Sequence, residues 1–214
     1  KKQPETADNY HTILMLETLN DWDISLFLFL NNMGCKALDP FFMAATDMAF
    51  VPFGALVLYL FYRKLGLKRT VLALVITAVM ILFSDQTCGN YIREMNIRLR
   101  PCHMVELAGK FRSVREWETG WCGGQYGFLS SHAGNAFSLA VFASLLLRGR
   151  VKHVWWYMIG FAAFISYTRI YIGTHLTGDV IVAGIIGTVY AVIFAFIYRK
   201  AEHALWGKNG YASV

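Results

Sequence analysis

Long apolar runs separated by short polar breaks dominate the chain after about residue 40. Five of them approach the roughly 20 mostly apolar residues that a bilayer-spanning helix needs: 41–62, 70–87, 131–147, 154–172 and 178–198. Each is expected to be helical, because hydrocarbon cannot satisfy exposed backbone N–H and C=O groups. The stretch DISLFLFLNNMG, 23–34, differs: its apolar run goes only from Ile24 to Leu30 and contains Ser25. An interfacial helix is expected there, with a sixth, short span as the alternative. The predicted fold is therefore an all-α polytopic bundle of five spans plus an N-terminal interfacial helix, forming one domain over 1–214. No internal repeat or low-complexity tract interrupts it. Lys1 and Lys2 lead into a polar stretch with no apolar segment and cleavage site beside it, so no secretory signal is expected.

Composition supports this pattern. The 214 residues are 56% hydrophobic and 15% aromatic, with mean hydropathy +0.42, too apolar for an ordinary soluble domain. The net charge of +6 does not point to nucleic acid, because the basic residues lie between spans and form no basic aromatic face. They set orientation instead. Arg63, Lys64, Lys68 and Arg69, then Arg148, Arg150 and Lys152, then Arg199, Lys200 and Lys208 all fall on one side by span count. The positive-inside rule makes that side cytoplasmic. The long loop from about 88 to 130 then faces outward, which in a bacterial inner membrane is the periplasm. Its aromatic residues, among them Tyr91, Phe111, Trp117 and Trp121, suit the headgroup level. Cys35, Cys88, Cys102 and Cys122 share that outer side. A Cys102–Cys122 bridge would staple the loop; free thiols are the alternative, and connectivity is not fixed by sequence.

Three polar clusters gather at the outer helix ends. IREMNIRLRP, 92–101, holds Arg93, Arg98 and Arg100. LSSHAGNAF, 129–137, places Ser130, Ser131 and His132 at the mouth of an apolar helix. TRIYIGTHLTGD, 168–179, carries Arg169, His175 and Asp179. Ionisable groups at membrane depth are costly and point to function. Arginine forks suit phosphate oxygens, and a helix N-terminus offers free N–H groups to an anion. His175 and Asp179, four apart, are expected on one helix face, with the carboxylate accepting from one ring nitrogen and leaving the other to attack. His132 would serve as general acid. Arg98 is expected to snorkel to headgroups. His11, His103, His153 and His203 are read as surface residues. Asp47 and Asp85 are read as structural, pairing with a neighbouring helix or with an arginine of the site.

At these residues the chain resembles the type 2 phosphatidic acid phosphatase superfamily, the lipid phosphate phosphatases. That family's first motif is Lys-x6-Arg-Pro, matched by REMNIRLRP with Arg93 for the lysine. Its second, Pro-Ser-Gly-His, is matched by LSSH with Leu129 for proline and Ser131 for glycine. Its third, Ser-Arg-x5-His-x3-Asp, is matched at full spacing with Thr168 for serine. No departure removes a reactive group. A bacterial subgroup in which the second motif commonly reads SSHA is also similar.

The resemblance implies a membrane-integral phosphatase acting on a phosphorylated membrane lipid without metal or other cofactor. His175 would form a phosphohistidine, Asp179 would orient it, and His132 would exchange protons with leaving group and water. Arg93, Arg100, Arg169, Ser130 and Ser131 would hold the phosphate. Candidate substrates are lipid A, undecaprenyl pyrophosphate, phosphatidylglycerophosphate and phosphatidic acid, with a lean toward the first two. The competing readings are a vanadate-dependent haloperoxidase-like enzyme and a non-catalytic membrane protein that binds or moves phosphorylated lipid.

Overall fold

A computed structural model describes residues 7–91 and 94–207, without the side chains of 7–13. Lys208, Arg93 and the His11 side chain therefore lie outside the described residues. The regular structure among them is helical, apart from one isolated antiparallel bridge between Leu99 and Tyr126. In chain order the helices are α1 (Ala7–Asn32), α2 (Asp39–Met48), α3 (Phe50–Leu65), α4 (Leu67–Asp85), α5 (Val114–Thr119), α6 (Ser131–Leu147), α7 (Val154–Tyr171) and α8 (Thr177–Trp206). The expected spans at 131–147 and 154–172 coincide closely with α6 and α7, and the expected 178–198 becomes the longer α8. Among the described residues two helices are long and apolar enough to cross a membrane, Leu67–Tyr91 and Thr177–Trp206. The α2–α3 pair makes a third if its two halves count as one span.

The expected single helix over 41–62 is broken. α2 and α3 meet at Ala49 with a bend of 49°. Pro52 explains the position: it has no N–H to give to Met48, four residues back, and its ring crowds that carbonyl. The hydrogen bonds on either side of the break survive, Ala49 to Ala45 at 3.2 Å and Phe53 to Ala49 at 3.3 Å. At the C-terminal end of α4 the backbone loosens into a π-helical turn, Gln86–Tyr91. Its Gly89 lets that turn lie against α6, since a Cβ there would sit 2.9 Å from Ser131 Oγ.

The core lies between α3, α4, α6, α7 and α8, around Phe61, Met80, Phe142, Leu147 and Ile165, all essentially excluded from solvent. α6 and α8 cross very closely. A Cβ on Gly187 would stand 2.2 Å from the Gly134 carbonyl oxygen, so only glycine permits this approach. That crossing fixes the N-terminal ends of α6 and α8 relative to each other, and both ends carry site residues.

α1 is much longer than the apolar run that predicted it. Phe27 is fully buried and packs, with Ile24 and Leu28, against Ile170 and Val180. Asn31 fastens its end: Nδ2 donates to the carbonyls of Ile170 at 2.9 Å and Tyr171 at 3.0 Å, and Oδ1 accepts from the Arg112 N–H at 2.7 Å. The opposite face remains exposed at Trp22, Leu26 and Phe29.

Candidate active site

The N-terminal ends of α6 and α8 and the C-terminal end of α7 meet beneath the loop that joins α4 to α6. Ser130 is the N-cap of α6, its side chain accepting from the Ala133 N–H at 3.4 Å. Ser131 and His132 follow in the first turn and are partly exposed. The His132 ring meets the Phe50 ring edge-on at 6.1 Å. It lies within electrostatic range of Arg169, His175, Asp47 and Arg115, so the two histidines of the second and third motifs occupy one site.

His175 does not sit on a helix. Gly173, at φ +78°, turns the chain after α7, and α8 begins only at Thr177. The ring is buried, and each of its nitrogens faces one kind of partner. Nδ1 lies 2.9 Å from the Gly127 carbonyl oxygen, an acceptor only. Nε2 lies 3.3 Å from Arg100 Nη1, a donor only. The neutral ring must therefore carry its proton on Nδ1 and its lone pair on Nε2.

This differs from the expected arrangement. Asp179 Oδ2 stands 3.8 Å from His175 Nδ1, outside hydrogen-bond range. The carboxylate instead accepts the Leu176 N–H at 3.0 Å, in the first turn of α8, and Arg98 Nη1 at 3.3 Å. The orienting hydrogen bond belongs to Gly127, and Asp179 acts on the imidazole as a fully buried nearby charge. A carbonyl from a loop 48 positions upstream has no sequence signature.

Two arginines are buried here, Arg100 at 7% and Arg169 at 8% exposure. Arg100 Nη1 also donates to the Thr174 carbonyl at 3.0 Å. Its stem threads between Gly123 and Gly127, where a Cβ would sit 2.9 Å and 2.4 Å away respectively. Arg169 Nη1 donates to Thr46 Oγ1 at 2.7 Å, and the same hydroxyl accepts from Thr168 at 3.0 Å. The threonine that stands in the family's serine position thus links α7 to α2. Arg169 Nε has no hydrogen-bond partner among the described residues. Buried guanidinium N–H groups of this kind are suited to an oxyanion.

The structure assembles His132, His175, Asp179, Arg100, Arg169, Ser130 and Ser131 in one region. Arg93 falls outside the described residues. The polar neighbours of the site find specific partners. Arg98 does not snorkel: it pairs with Asp23 and Asp179, and Nη2 donates to Asn20 Oδ1 at 2.7 Å. Asp47 pairs at 2.9 Å with Arg115 of α5, which lies beside His132 and Arg169. Asp85 accepts from Asn135 Nδ2 at 3.2 Å. His103, His153 and His203 are exposed as expected.

The loop above the site is stapled by a Cys102–Cys122 disulfide, while Cys35 and Cys88 are free. His103 Nε2 stands 3.7 Å from Cys122 Sγ; with both sulfurs joined to each other, neither is a thiolate ligand for a metal. The loop backbone pairs with itself, Arg100 N–H to Gln125 at 3.0 Å and Gly127 N–H to Arg98 at 3.0 Å. This short ladder sets Arg100 and the Gly127 carbonyl on the two nitrogens of one imidazole.

Comparison with known proteins gives the family. The sequence profile of the PAP2 superfamily matches residues 72–202, and the chain belongs to that superfamily. It is 34% identical over 187 residues to a lipid A 4'-phosphatase of Bacteroides thetaiotaomicron, covering 87% of this chain and 81% of that protein. It is 30% identical over 191 residues to a lipid A 4'-phosphatase of Porphyromonas gingivalis, covering 88% and 77%. The crystal structure of Aquifex aeolicus LpxE superposes with a TM-score of 0.56 at 25% identity, over 80% of this chain and 93% of that one.

Proposed function

We propose that this chain is a membrane lipid phosphatase that removes a phosphate from a lipid A-type glycolipid. The observation that carries the chemistry is the His175 ring, proton fixed on Nδ1 by Gly127 and lone pair on Nε2 facing Arg100. The substrate class rests on the similarity to the two lipid A 4'-phosphatases.

In this reading the lipid's phosphate enters beside Arg100 and Arg169, and Arg100 transfers its N–H from the imidazole to a phosphate oxygen. Nε2 then attacks phosphorus as the bond from phosphorus to the sugar oxygen breaks. His132 gives that oxygen its proton. In the second half, His132 takes a proton from water, the water oxygen bonds to phosphorus, and the N–P bond breaks to release inorganic phosphate and restore His175. Arg100, Arg169, Arg93 and the N–H groups of the first α6 turn hold the equatorial oxygens, where charge concentrates in the transition state. Asp179 stabilises the imidazolium that develops on His175. These residues carry the reaction without asking for a metal or other cofactor.

The placement follows from charge. Arg63, Lys64, Arg148, Arg150, Arg199 and Lys200 cluster at helix ends remote from His132 and His175, so the positive-inside rule puts the site on the outer, periplasmic face of a bacterial inner membrane. Five spans fit: the broken α2–α3 pair, α4, α6, α7 and α8, with α1 docked along α7 and α8.

The test is phosphate release by purified protein in detergent, with lipid A, undecaprenyl pyrophosphate, phosphatidylglycerophosphate and phosphatidic acid offered separately. Lipid A should turn over fastest, and His175→Ala should cut its rate by at least about 10³-fold, as expected for loss of a nucleophile. A faster rate with another lipid would overturn the substrate class. Wild-type turnover by His175→Ala would overturn the nucleophile.

A further inference from the structure

We infer that Asp23 on α1, acting through Arg98, is a positioning group for Asp179 and for the backbone that carries His175. The inference rests on the proposed roles of those two residues. Asp23 uses both carboxylate oxygens. Oδ1 accepts the Gly178 N–H at 2.6 Å, at the start of α8 and one residue before Asp179. Oδ2 accepts from Arg98 Nη1.

Arg98 then reaches the site by two routes. Its side chain donates to Asp179 Oδ1 at 3.3 Å and is steadied by Asn20 Oδ1 at 2.7 Å. Its main-chain carbonyl accepts the Gly127 N–H at 3.0 Å, and Gly127 in turn accepts from His175 Nδ1 at 2.9 Å. One residue is thus tied to the carboxylate beside the imidazole and to the carbonyl that fixes its tautomer. Gly178 makes the arrangement sterically possible, because a Cβ there would lie 2.7 Å from Asp23 Oδ2.

A purely architectural role for Asp23 is poorly matched to the structure. α1 is already docked by the fully buried Phe27 and by Asn31, whose amide joins three main-chain carbonyls, those of Arg112, Ile170 and Tyr171. The Asp23–Arg98 pair is instead mostly buried, at 14% and 16% side-chain exposure, and next to a carboxylate with none. Three charges gathered away from water are expensive unless their geometry is closely satisfied. Here each makes two or more directed contacts, and those to Leu176 N–H, Gly178 N–H and Asp179 reach the start of α8.

The test is steady-state phosphate release from lipid A in detergent by Asp23→Asn, Asp23→Glu, Arg98→Lys and, as the docking control, Asn31→Ala. Asp23→Asn should keep a wild-type thermal inactivation midpoint within a few degrees and KM within about threefold, yet lose about 10- to 100-fold in kcat, the scale of a displacement of about 1 Å at a reacting group. Asp23→Glu and Arg98→Lys, which keep the charges, should each lose less than Asp23→Asn. Asn31→Ala should lower the midpoint and leave kcat of the folded protein unchanged. Wild-type kcat in Asp23→Asn would overturn the inference. So would a kcat loss that follows the drop in midpoint in the same ratio as for Asn31→Ala. His175→Ala in the same assay separates the two levels: its activity would remove the underlying reading, whereas an inactive His175→Ala beside a fully active Asp23→Asn would remove only this inference.

Discussion

At one end of the helix bundle Arg63, Lys64, Lys68, Arg148, Lys152, Arg199 and Lys200 reach into open space. Among the described residues an ion pair orders that end, Arg69 to Glu202 at 2.7 Å. At the other end Arg100, Arg169, His175 and Asp179 are each less than a tenth exposed and held by hydrogen bonds from four different segments. Charges of the first kind stay hydrated on long stems and cost little. Those of the second kind have given up water, and only directed contacts offset the loss. In the proposed reading the buried charges are where the phosphate binds, and the exposed charges at the other end set which way the protein faces.

The largest expected effect breaks the buried end. Arg100→Ala removes the N–H that faces His175 Nε2 and, in the proposed reaction, a donor to the phosphate. kcat/KM for phosphate release should fall about 10²- to 10³-fold, matching the roughly 2.7–4 kcal/mol typical of one oxyanion donor. Arg100→Lys should recover little, because a single ammonium cannot reach both the Thr174 carbonyl and the ring. A loss of less than tenfold in Arg100→Ala would mean that its burial serves packing rather than chemistry.

A smaller effect tests what keeps that end assembled. Cys102 and Cys122 are 20 positions apart, and the bridge between them lies next to Arg100 and Gly123, which approach each other closely. Closing a loop of that length contributes about 3 kcal/mol in the chain-entropy model. Cys102→Ser with Cys122→Ser should inactivate at a temperature lower by several degrees, with kcat retained below that point. A reductant should bring the wild-type protein to the same midpoint and leave the double variant unmoved. Equal midpoints with and without reductant would show that the ladder between Arg98–Arg100 and Gln125–Gly127 holds the loop by itself.

The two ends also differed in how far the sequence revealed them. Apolar run length gave α6 and α7 almost to the residue, and the periodic clusters of basic residues gave the exposed end. At the buried end the residues that gather there were legible, because His132, His175, Asp179, Arg100 and Arg169 stand out in the sequence by their type and spacing. Their relations were not. The spacing of His175 and Asp179 suggested one helix face, but Gly173 turns the chain and α8 starts after the histidine. The partner of Nδ1 is a main-chain carbonyl, and any residue at 127 could present one; what demands glycine there is the Arg100 stem, a tertiary contact. Arg98 looked like a snorkelling residue since nothing in the sequence joins it to Asp23, 75 positions earlier. Pro52 was the one local signal open to a better reading: a proline inside an apolar run marks a break even when the run is long enough to span.

The smallest expected effect is at the exposed end, and it is the sharpest test of the contrast. Glu202 is buried and Arg69 is not, with side-chain exposures of 8% and 28%. Glu202→Ala therefore removes the desolvated partner and leaves the one that can extend to water. No buried unpaired charge remains, so the heavy penalty for splitting a buried pair does not apply. The cost should stay at about 1 kcal/mol or less, as for a partly exposed ion pair. The thermal inactivation midpoint should move by only a few degrees, and kcat and KM for lipid A should match the wild type. The reverse substitution, Arg69→Ala, strands the buried carboxylate and should cost more in midpoint than Glu202→Ala, again without touching kcat. A tenfold drop in kcat from either variant would show that the two ends are coupled along α8, and the separation of exposed orienting charge from buried reacting charge would no longer describe this molecule.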